Sequence, residues 1–282
     1  NRHPRLVEAT GLMKFKGTVA MMAVFFSVGI YYFLIDLPAE KKKAQEKEIA
    51  GKVLPLKIAN VSEFSLIKND LTITLQQNAN NVWNLSQPLK AAGDNPDAES
   101  FLLAIEALEK SRVVEKNPKN LSHYGLETPA FKVHIKFKDD REDTLLLGDE
   151  SPMGGKIYLK LKSNPAVLLA ATSKTTFNKS VYHFRDKTIF NFSSASITQI
   201  QIKRNKHPLN LIREKEEWKV SGEVRAKADK DAVLAFLQAI QFSRVKEFVD
   251  GKSDSLEPFG LEKPTTTLTL KDENNKSYSI DF

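Results

Sequence analysis

The chain repeats one pattern of residues at a spacing of 132 to 136 positions, and this repeat limits its fold more than any other feature. Residue classes recur in the same order in residues 61–147 and 197–282, and the spacing changes only between predicted elements, where loops tolerate insertions. The sequence therefore predicts a duplicated structural unit. The paired landmarks are Trp83 and Trp218, Arg112 and Arg244, Tyr124 and Phe259, and Gly125 and Gly260.

Each copy predicts strands around one helix. Residues 61–66 and 71–75 alternate apolar and polar side chains, as half-buried strands do, and the tryptophan marks a third strand. An aspartate, Asp97 or Asp229, precedes the helix and can cap it. The helix then presents one apolar face in both copies. In the first copy this face consists of Phe101, Leu102, Ile105 and Leu108.

The predicted fold class is α+β, with an N-terminal transmembrane helix and two tandem strand–helix–strand units that have mainly antiparallel sheets. We assign residues 54–190 to the first unit and 191–282 to the second. The second copy stops where the first reaches Leu147, so the repeat leads us to expect a natural chain about 35–45 residues longer. Met13 is a more ordinary start than Asn1, so we also expect a different native beginning.

Residues 17–35 carry no charged side chain. At about 1.5 Å per residue this run spans roughly 28 Å, close to the hydrocarbon core of a bilayer. We predict a cytoplasmic tail at 1–16, a transmembrane helix at 17–37 and a helical stalk at 38–53. A cleaved signal peptide is the alternative, but the apolar run is long and no small-x-small cleavage site follows it.

The two sides of the span carry equal numbers of basic residues, four each. Lys14 and Lys16 lie closest to the apolar run, which favours a cytoplasmic N-terminus. We therefore expect a single-pass protein of the bacterial inner membrane with periplasmic folded units. Lys41–Lys43 beyond the span form a solvated helix face or contact membrane lipids, which are an expected partner.

The sequence contains few residues or motifs that are typical of catalytic or metal-binding sites. Cysteine is absent, which excludes disulfides, thiol nucleophiles and cysteine zinc sites. No phosphate-binding loop, dinucleotide fingerprint, metalloprotease motif or nucleophile elbow occurs. His134 stands alone in a predicted strand, and the acidic residues between Asp139 and Asp143 indicate a hairpin tip more than a cation site. We expect no catalytic residue, no metal and no cofactor.

The paired landmarks each allow a structural and a functional interpretation. Trp83 and Trp218 either stack on a ligand or pack in a core, and their equivalent positions favour the core. Arg112 and Arg244 either bind an anion or pair locally after their helix, where a cation is favourable. The glycines of the Tyr/Phe-Gly-Leu segments are turn makers. Scattered basic residues, with a net charge of +7, argue against nucleic-acid binding.

Small residues form a stripe along the predicted span. Ala20, Ala23 and Ser27 are three and four positions apart and share one helix face. Small faces let transmembrane helices approach closely. We expect this stripe to contact a helix of an integral membrane partner, although an incidental stripe on a lipid-facing anchor has the same spacing.

The combined motifs resemble the bacterial domain-of-unknown-function family 4340. They are Trp83-Asn-Leu85, Asp97, Arg112-Val-Val114, Tyr124-Gly-Leu126-Glu-Thr-Pro129 and Leu145-Leu-Leu147-Gly148-Asp149. The resemblance covers residues 13–282. It implies an envelope protein encoded beside ABC-2-type export permeases and gliding-motility-type proteins, and it implies no reaction and no catalytic residues.

These observations favour a non-enzymatic, membrane-anchored extracytoplasmic scaffold or binding subunit, accessory to an ABC-type export complex of the inner membrane. The alternative is a structural subunit that clamps the outer face of another membrane assembly, such as an energy-transducing complex. A third class, an envelope hydrolase, requires a convergent acid–base or nucleophile group that the sequence does not show.

Overall fold

The structure, a computed structural model, describes residues 11–204, 208–222, 225–250 and 255–282. Residues 1–10 and the side chains of residues 11–16 lie outside this description, and with them most of the predicted tail at 1–16. A long N-terminal helix leads into two β-sheets with helices between their strands. The predicted α+β class is therefore confirmed.

One nearly continuous helix forms the N-terminal region. It consists of α1 (Gly11–Tyr31), one π-helical turn (Tyr32–Asp36) and α2 (Leu37–Gly51). The wide turn has a local cause at Pro38, which has no amide hydrogen and whose ring crowds the carbonyl of Leu34. The amide of Leu37 accordingly donates to the carbonyl of Tyr32, five residues back.

The first sheet has nine strands in the order β4-β3-β2-β1-β6-β7-β8-β9-β5. The strands are β1 (Val61–Lys68), β2 (Leu71–Gln77), β3 (Trp83–Gln87), β4 (Ala91–Ala92), β5 (Lys110–Glu115), β6 (Phe131–Phe137), β7 (Glu142–Glu150), β8 (Ile157–Leu161) and β9 (Val167–Ala170). Helix α3 (Asn95–Glu106) precedes β5, and the short helices α4 (Lys174–Phe177) and α5 (Val181–Phe184) follow β9.

The second sheet has six strands in the order β13-β12-β11-β10-β14-β15. They are β10 (Ile197–Arg204), β11 (Leu209–Glu214), β12 (Glu217–Val220), β13 (Ala226–Lys227), β14 (Thr266–Asp272) and β15 (Ser277–Asp281), with helix α6 (Lys230–Gln241) after β13. This order repeats the run β4-β3-β2-β1-β6-β7 of the first sheet.

The two sheets also share their strand register. Phe64 of β1 lies between Leu75 and Ile135 on the neighbouring strands. Its counterpart 136 positions later, Ile200, lies between Leu211 and Leu270. Both first strands even carry an irregularity at the same place, after Val61 and after Ile197. The repeat in the sequence is therefore a repeat in structure.

Two compact units make up the described chain. The first contains the described residues up to Val82 together with Ser86–Leu89 and Pro96–Lys179, and the second contains Trp83–Leu85, Lys90–Asn95 and Ser180–Phe282. The predicted division into 54–190 and 191–282 stays a prediction.

The first copy of the repeat buries its marked apolar positions more completely than the second. In α3, Phe101, Leu102 and Ile105 are fully buried, and the ring of Phe101 stacks on that of Phe64 at 5.4 Å. In α6 the corresponding face is less covered, because Leu237 is buried but Leu234 is 38% exposed. Asp229 caps α6 as predicted, accepting hydrogen bonds from two backbone amides, whereas Asp97 lies inside the first turn of α3.

Candidate functional site

The N-terminal helix is the first candidate for function. From Gly17 to Gly51 it contains an 18-residue window of mean hydropathy 2.0, and none of that window is buried. Its large apolar side chains point outward, with Phe25 at 76% and Phe33 at 72% exposure. A soluble helix would bury such residues, so this helix has the length and composition of a membrane span.

The small-residue stripe lies on this exposed helix. Ala20, Ala23 and Ser27 are all exposed in the chain by itself. The hydroxyl of Ser27 donates to the carbonyl of Val24 at 2.8 Å, so its hydrogen is used within the helix. The stripe therefore presents a smooth surface of small groups, which favours close packing more than hydrogen bonding.

The helix joins the first unit without a linker. Lys52, directly after α2, forms an ion pair with Glu109 at 3.3 Å, and the amide of Val53 donates to the carbonyl of Leu108 at 2.9 Å. Val53 and Leu54 are buried at 3% and 5% exposure. These contacts fix the end of the stalk to the residues that follow α3.

Both tryptophans are core residues. Trp83 is 0% and Trp218 is 5% exposed, so neither indole offers a face for stacking on a ligand. Their backbones also make equivalent hydrogen bonds, because the carbonyl of Trp83 accepts from Gly93 and that of Trp218 accepts from Ala228. The two tryptophans therefore occupy equivalent buried positions in the two copies.

The Tyr/Phe-Gly-Leu segments form the same turn twice. Tyr124 and Phe259 each end a short 3₁₀ helix, and the following glycines have φ angles of 63° at Gly125 and 69° at Gly260. Residues with a Cβ seldom adopt this left-handed conformation. The glycines are therefore required by backbone geometry in both copies.

The surroundings of the two turns differ. The ring of Tyr124 packs 5.1 Å from that of Tyr158 in β8, and its hydroxyl donates to Glu115 at 2.9 Å, which raises the pKa of Tyr124. Phe259 is 46% exposed. A Cβ added to Gly125 would lie 2.5 Å from Asp149, whereas one added to Gly260 would meet no atom of the described residues within 4 Å. The first turn is thus packed and the second is open.

The paired arginines have different roles. Arg112 is exposed in strand β5, where it is in register with Leu169. It therefore lies within a strand, and the expected position at a helix end is wrong. Arg244 donates to the carboxylate of Asp94 at 2.7 Å, although the two residues are 150 positions apart. The expectation that Arg244 pairs locally is wrong, because residues 90–95 lie beside the segment that follows α6.

Asp94 is the centre of a buried ionic cluster in the second unit. The ammonium of Lys187 donates to the Asp94 carboxylate at 3.0 Å and to the carbonyls of His183 and Arg185 at 2.8 and 3.2 Å. Both Asp94 and Lys187 are buried. We did not predict this cluster, because nothing local in the sequence links residues so far apart. The Lys187 ammonium donates three hydrogen bonds, and the Asp94 carboxylate accepts from both Lys187 and Arg244. These contacts within the protein indicate a structural role.

Two pairs of titratable groups lie in the hairpin of β6 and β7. His134 lies 3.5 Å from Glu142, and the Arg141 guanidinium beside Asp139 lowers the pKa of that carboxyl group. In the part of the chain that the structure describes, no group of three or more histidine or acidic side chains could hold a metal ion.

A cleft of about 590 Å³ opens beside β12 and β13. Two charge pairs lie at this cleft, because Lys219 contacts Glu214 at 2.6 Å and Lys227 contacts Glu217 at 2.7 Å. These contacts raise the pKa of Lys219 and lower that of Glu217. Among the described residues that line it, the cleft shows charge pairs but no nucleophile beside a general base.

Comparison with known families shows that one family model matches the chain twice. The model of a family described as a domain of unknown function (DUF4340) matches residues 83–223 and again residues 218–282. The two matches begin at the two equivalent tryptophans, Trp83 and Trp218. No curated protein and no solved structure matches the chain.

Proposed function

Because the family model matches more than half of the chain, the protein belongs to the DUF4340 family, and from this premise we propose that it is a membrane-anchored accessory subunit. In this proposal a single helix holds it in the bacterial inner membrane. The folded units lie on the periplasmic side, where they hold an integral membrane partner and turn over no substrate.

One observation carries the proposal: the end of the exposed apolar helix directly contacts the folded unit. The span, the stalk and the contacts of Lys52 and Val53 follow one another directly. A simple tether needs no such connection. A subunit that must present its folded part at a set height above the membrane does need it.

The span contributes more than attachment in this proposal. The stripe of Ala20, Ala23 and Ser27 faces outward and its serine hydrogen is already used, so a second helix can pack against it closely. Confinement to the membrane plane also raises the effective concentration of the chain near a membrane partner.

The partner we propose is an ABC-type export permease, which the resemblance of the sequence implies. Co-purification of the tagged full chain from native membranes, followed by mass spectrometry, tests this assignment. We expect a polytopic permease and its ATPase to be recovered in similar amounts. Recovery of the chain alone after mild crosslinking would contradict a partner-holding role, and recovery of another membrane assembly would replace the permease.

A further inference from the structure

We propose that the membrane boundary lies at the π-helical turn, and that Lys41, Lys42 and Lys43 bind the phosphates of anionic phospholipids just beyond it. This proposal rests on the membrane anchoring proposed above. It adds the depth at which the helix lies in the bilayer and the class of lipid that binds beside its outer end.

The π-helical turn favours a hydrated position at the membrane boundary. The amide of Leu37 donates five residues back to Tyr32, and Pro38 has no amide hydrogen for the carbonyl of Leu34. A backbone carbonyl that lacks its usual helical donor is costly in hydrocarbon, where no water replaces that donor. The end of the turn, where the Leu34 carbonyl faces Pro38, therefore belongs at the hydrated boundary of the bilayer.

Two further features place the boundary at the same depth. Tyr31 and Tyr32 are 55% and 47% exposed, and exposed tyrosines concentrate where hydrocarbon meets headgroups. A boundary near Ile35 also puts Gly17 at the opposite boundary, because the uncharged run between them spans roughly 28 Å.

The three lysines can reach the headgroups from this position. They lie on α2 at about 9–12 Å beyond Ile35, given a rise of 1.5 Å per residue. Helical side chains lean toward the helix N-terminus, which here is the direction of the membrane. The lysine stems can extend along the helix, so that their ammonium groups enter a headgroup layer about 5–7 Å thick.

The local charges leave the lysines available. Their side chains are exposed, and within the described residues no ion pair engages any of the three. The nearby carboxylates Asp36 and Glu40 are four positions apart and share one face of the helix. Lys41 and Lys42 are rotated from Glu40 by about 100° and 200°. Lys43 is three positions from both Glu40 and Glu46, and Lys42 is four positions before Glu46, which are spacings at which helical side chains are neighbours. Lipid phosphates surround the whole helix in the headgroup layer toward which these side chains lean.

Single-cysteine labelling tests the depth, since the chain has no cysteine of its own. Spin labels placed one at a time from residue 28 to residue 44 of the full chain, in nanodiscs, report access to oxygen and to a water-soluble nickel complex. We expect labels before residue 34 to be accessible mainly to oxygen, which dissolves in hydrocarbon. Labels after residue 38 should be accessible mainly to the nickel complex, which stays in water. A change below residue 30 or above residue 42 would overturn the assigned boundary.

Lipid retention tests the lysines. The full chain is purified with phosphatidylglycerol or phosphatidylcholine, and bound lipid is counted by native mass spectrometry. Replacement of Lys41, Lys42 and Lys43 with Gln should lower phosphatidylglycerol retention at least tenfold, since each lysine near an anionic surface contributes about fivefold. The phosphatidylcholine count should not change.

A matched variant controls for net charge. Lys116→Gln, Lys119→Gln and Lys132→Gln remove the same charge from exposed positions of the first unit. Equal losses in both variants, or no loss in the first, would overturn the lipid assignment. Excess inorganic phosphate should not displace the lipid, and displacement would identify a free-anion site instead. Recovery of a membrane partner is measured in a separate experiment, so a negative lipid result does not decide whether the protein is an anchored accessory subunit.

Discussion

The ammonium of Lys187 lies 3.0 Å from the buried carboxylate of Asp94, a residue 93 positions earlier in the chain. Arg244 donates to the same carboxylate oxygen at 2.7 Å. One acidic side chain therefore holds together three segments of the second unit that are far apart in sequence.

The first prediction concerns this cluster. Asp94→Asn should lower the free energy of unfolding by about 3–5 kcal/mol, because it leaves the buried ammonium of Lys187 without its carboxylate. Urea unfolding of the full chain in detergent, followed by tryptophan fluorescence, measures the change. Asp250→Asn, which breaks the exposed pair with Arg185, should cost less than about 1 kcal/mol. Equal effects would contradict a structural role for Asp94.

The second prediction concerns the tryptophans. Trp83→Ala and Trp218→Ala should each cost about 3–5 kcal/mol, because each removes a buried indole from its core. The same unfolding measurement applies, with the remaining tryptophan as the probe. Met153→Ala is the control, since Met153 is 85% exposed. A loss below about 1 kcal/mol at either tryptophan would favour an exposed recognition role there.

The third prediction compares the two turn glycines. Gly260→Ala should cost about 1–2 kcal/mol, the strain of a left-handed residue with a Cβ. Gly125→Ala should cost more than Gly260→Ala, because its new Cβ also meets Asp149 at 2.5 Å. Thermal unfolding of both variants provides the comparison within one chain. The same loss at both positions would show that Asp149 moves away freely.

The fourth prediction concerns Tyr124. Its hydrogen bond to Glu115 raises its pKa above the ordinary value of 10.0. Because the folded-state pKa is the higher one, the stability from this contact is present below pH 10 and is lost as pH rises through the folded pKa. Phenolate absorbance, as the difference between the native chain and Tyr124→Phe, measures the pKa. Glu115→Ala should lower it, and an unchanged value would rule out the contact as its cause.

Much of the fold could be predicted from sequence because its main signals are local and occur twice. The alternation in residues 61–66 gives a strand, and the matching pattern after Ile197 repeats that evidence. The turn at Gly125 is likewise set by neighbouring residues.

Features that depend on distant contacts could not be predicted in the same way. Arg112 and Arg244 follow similar helix patterns, yet one lies in a strand beside Leu169 and the other binds Asp94. The partner of each is chosen by tertiary packing, which residue spacing does not encode. The π-helical turn was also missed, although Pro38 after an apolar run was its available signal.

The fifth prediction concerns orientation. Lys14 and Lys16 beside the span favour a cytoplasmic N-terminus. Single cysteines at exposed positions, Ser111→Cys in the first unit and Ser279→Cys in the second, should react with a membrane-impermeant maleimide in intact spheroplasts. Labelling only after lysis would reverse the assignment.

The most direct measurement of the central claim is partner recovery with an altered stripe. Ala23→Leu and Ser27→Leu together should reduce co-purification of the membrane partner several-fold without changing the unfolding of the soluble units, since bulky groups prevent close helix approach. Met22→Leu and Phe25→Leu, on the opposite face, should leave recovery unchanged. If a generic polyleucine anchor supports the same recovery as the native span, the helix is only a tether and the claim is contradicted.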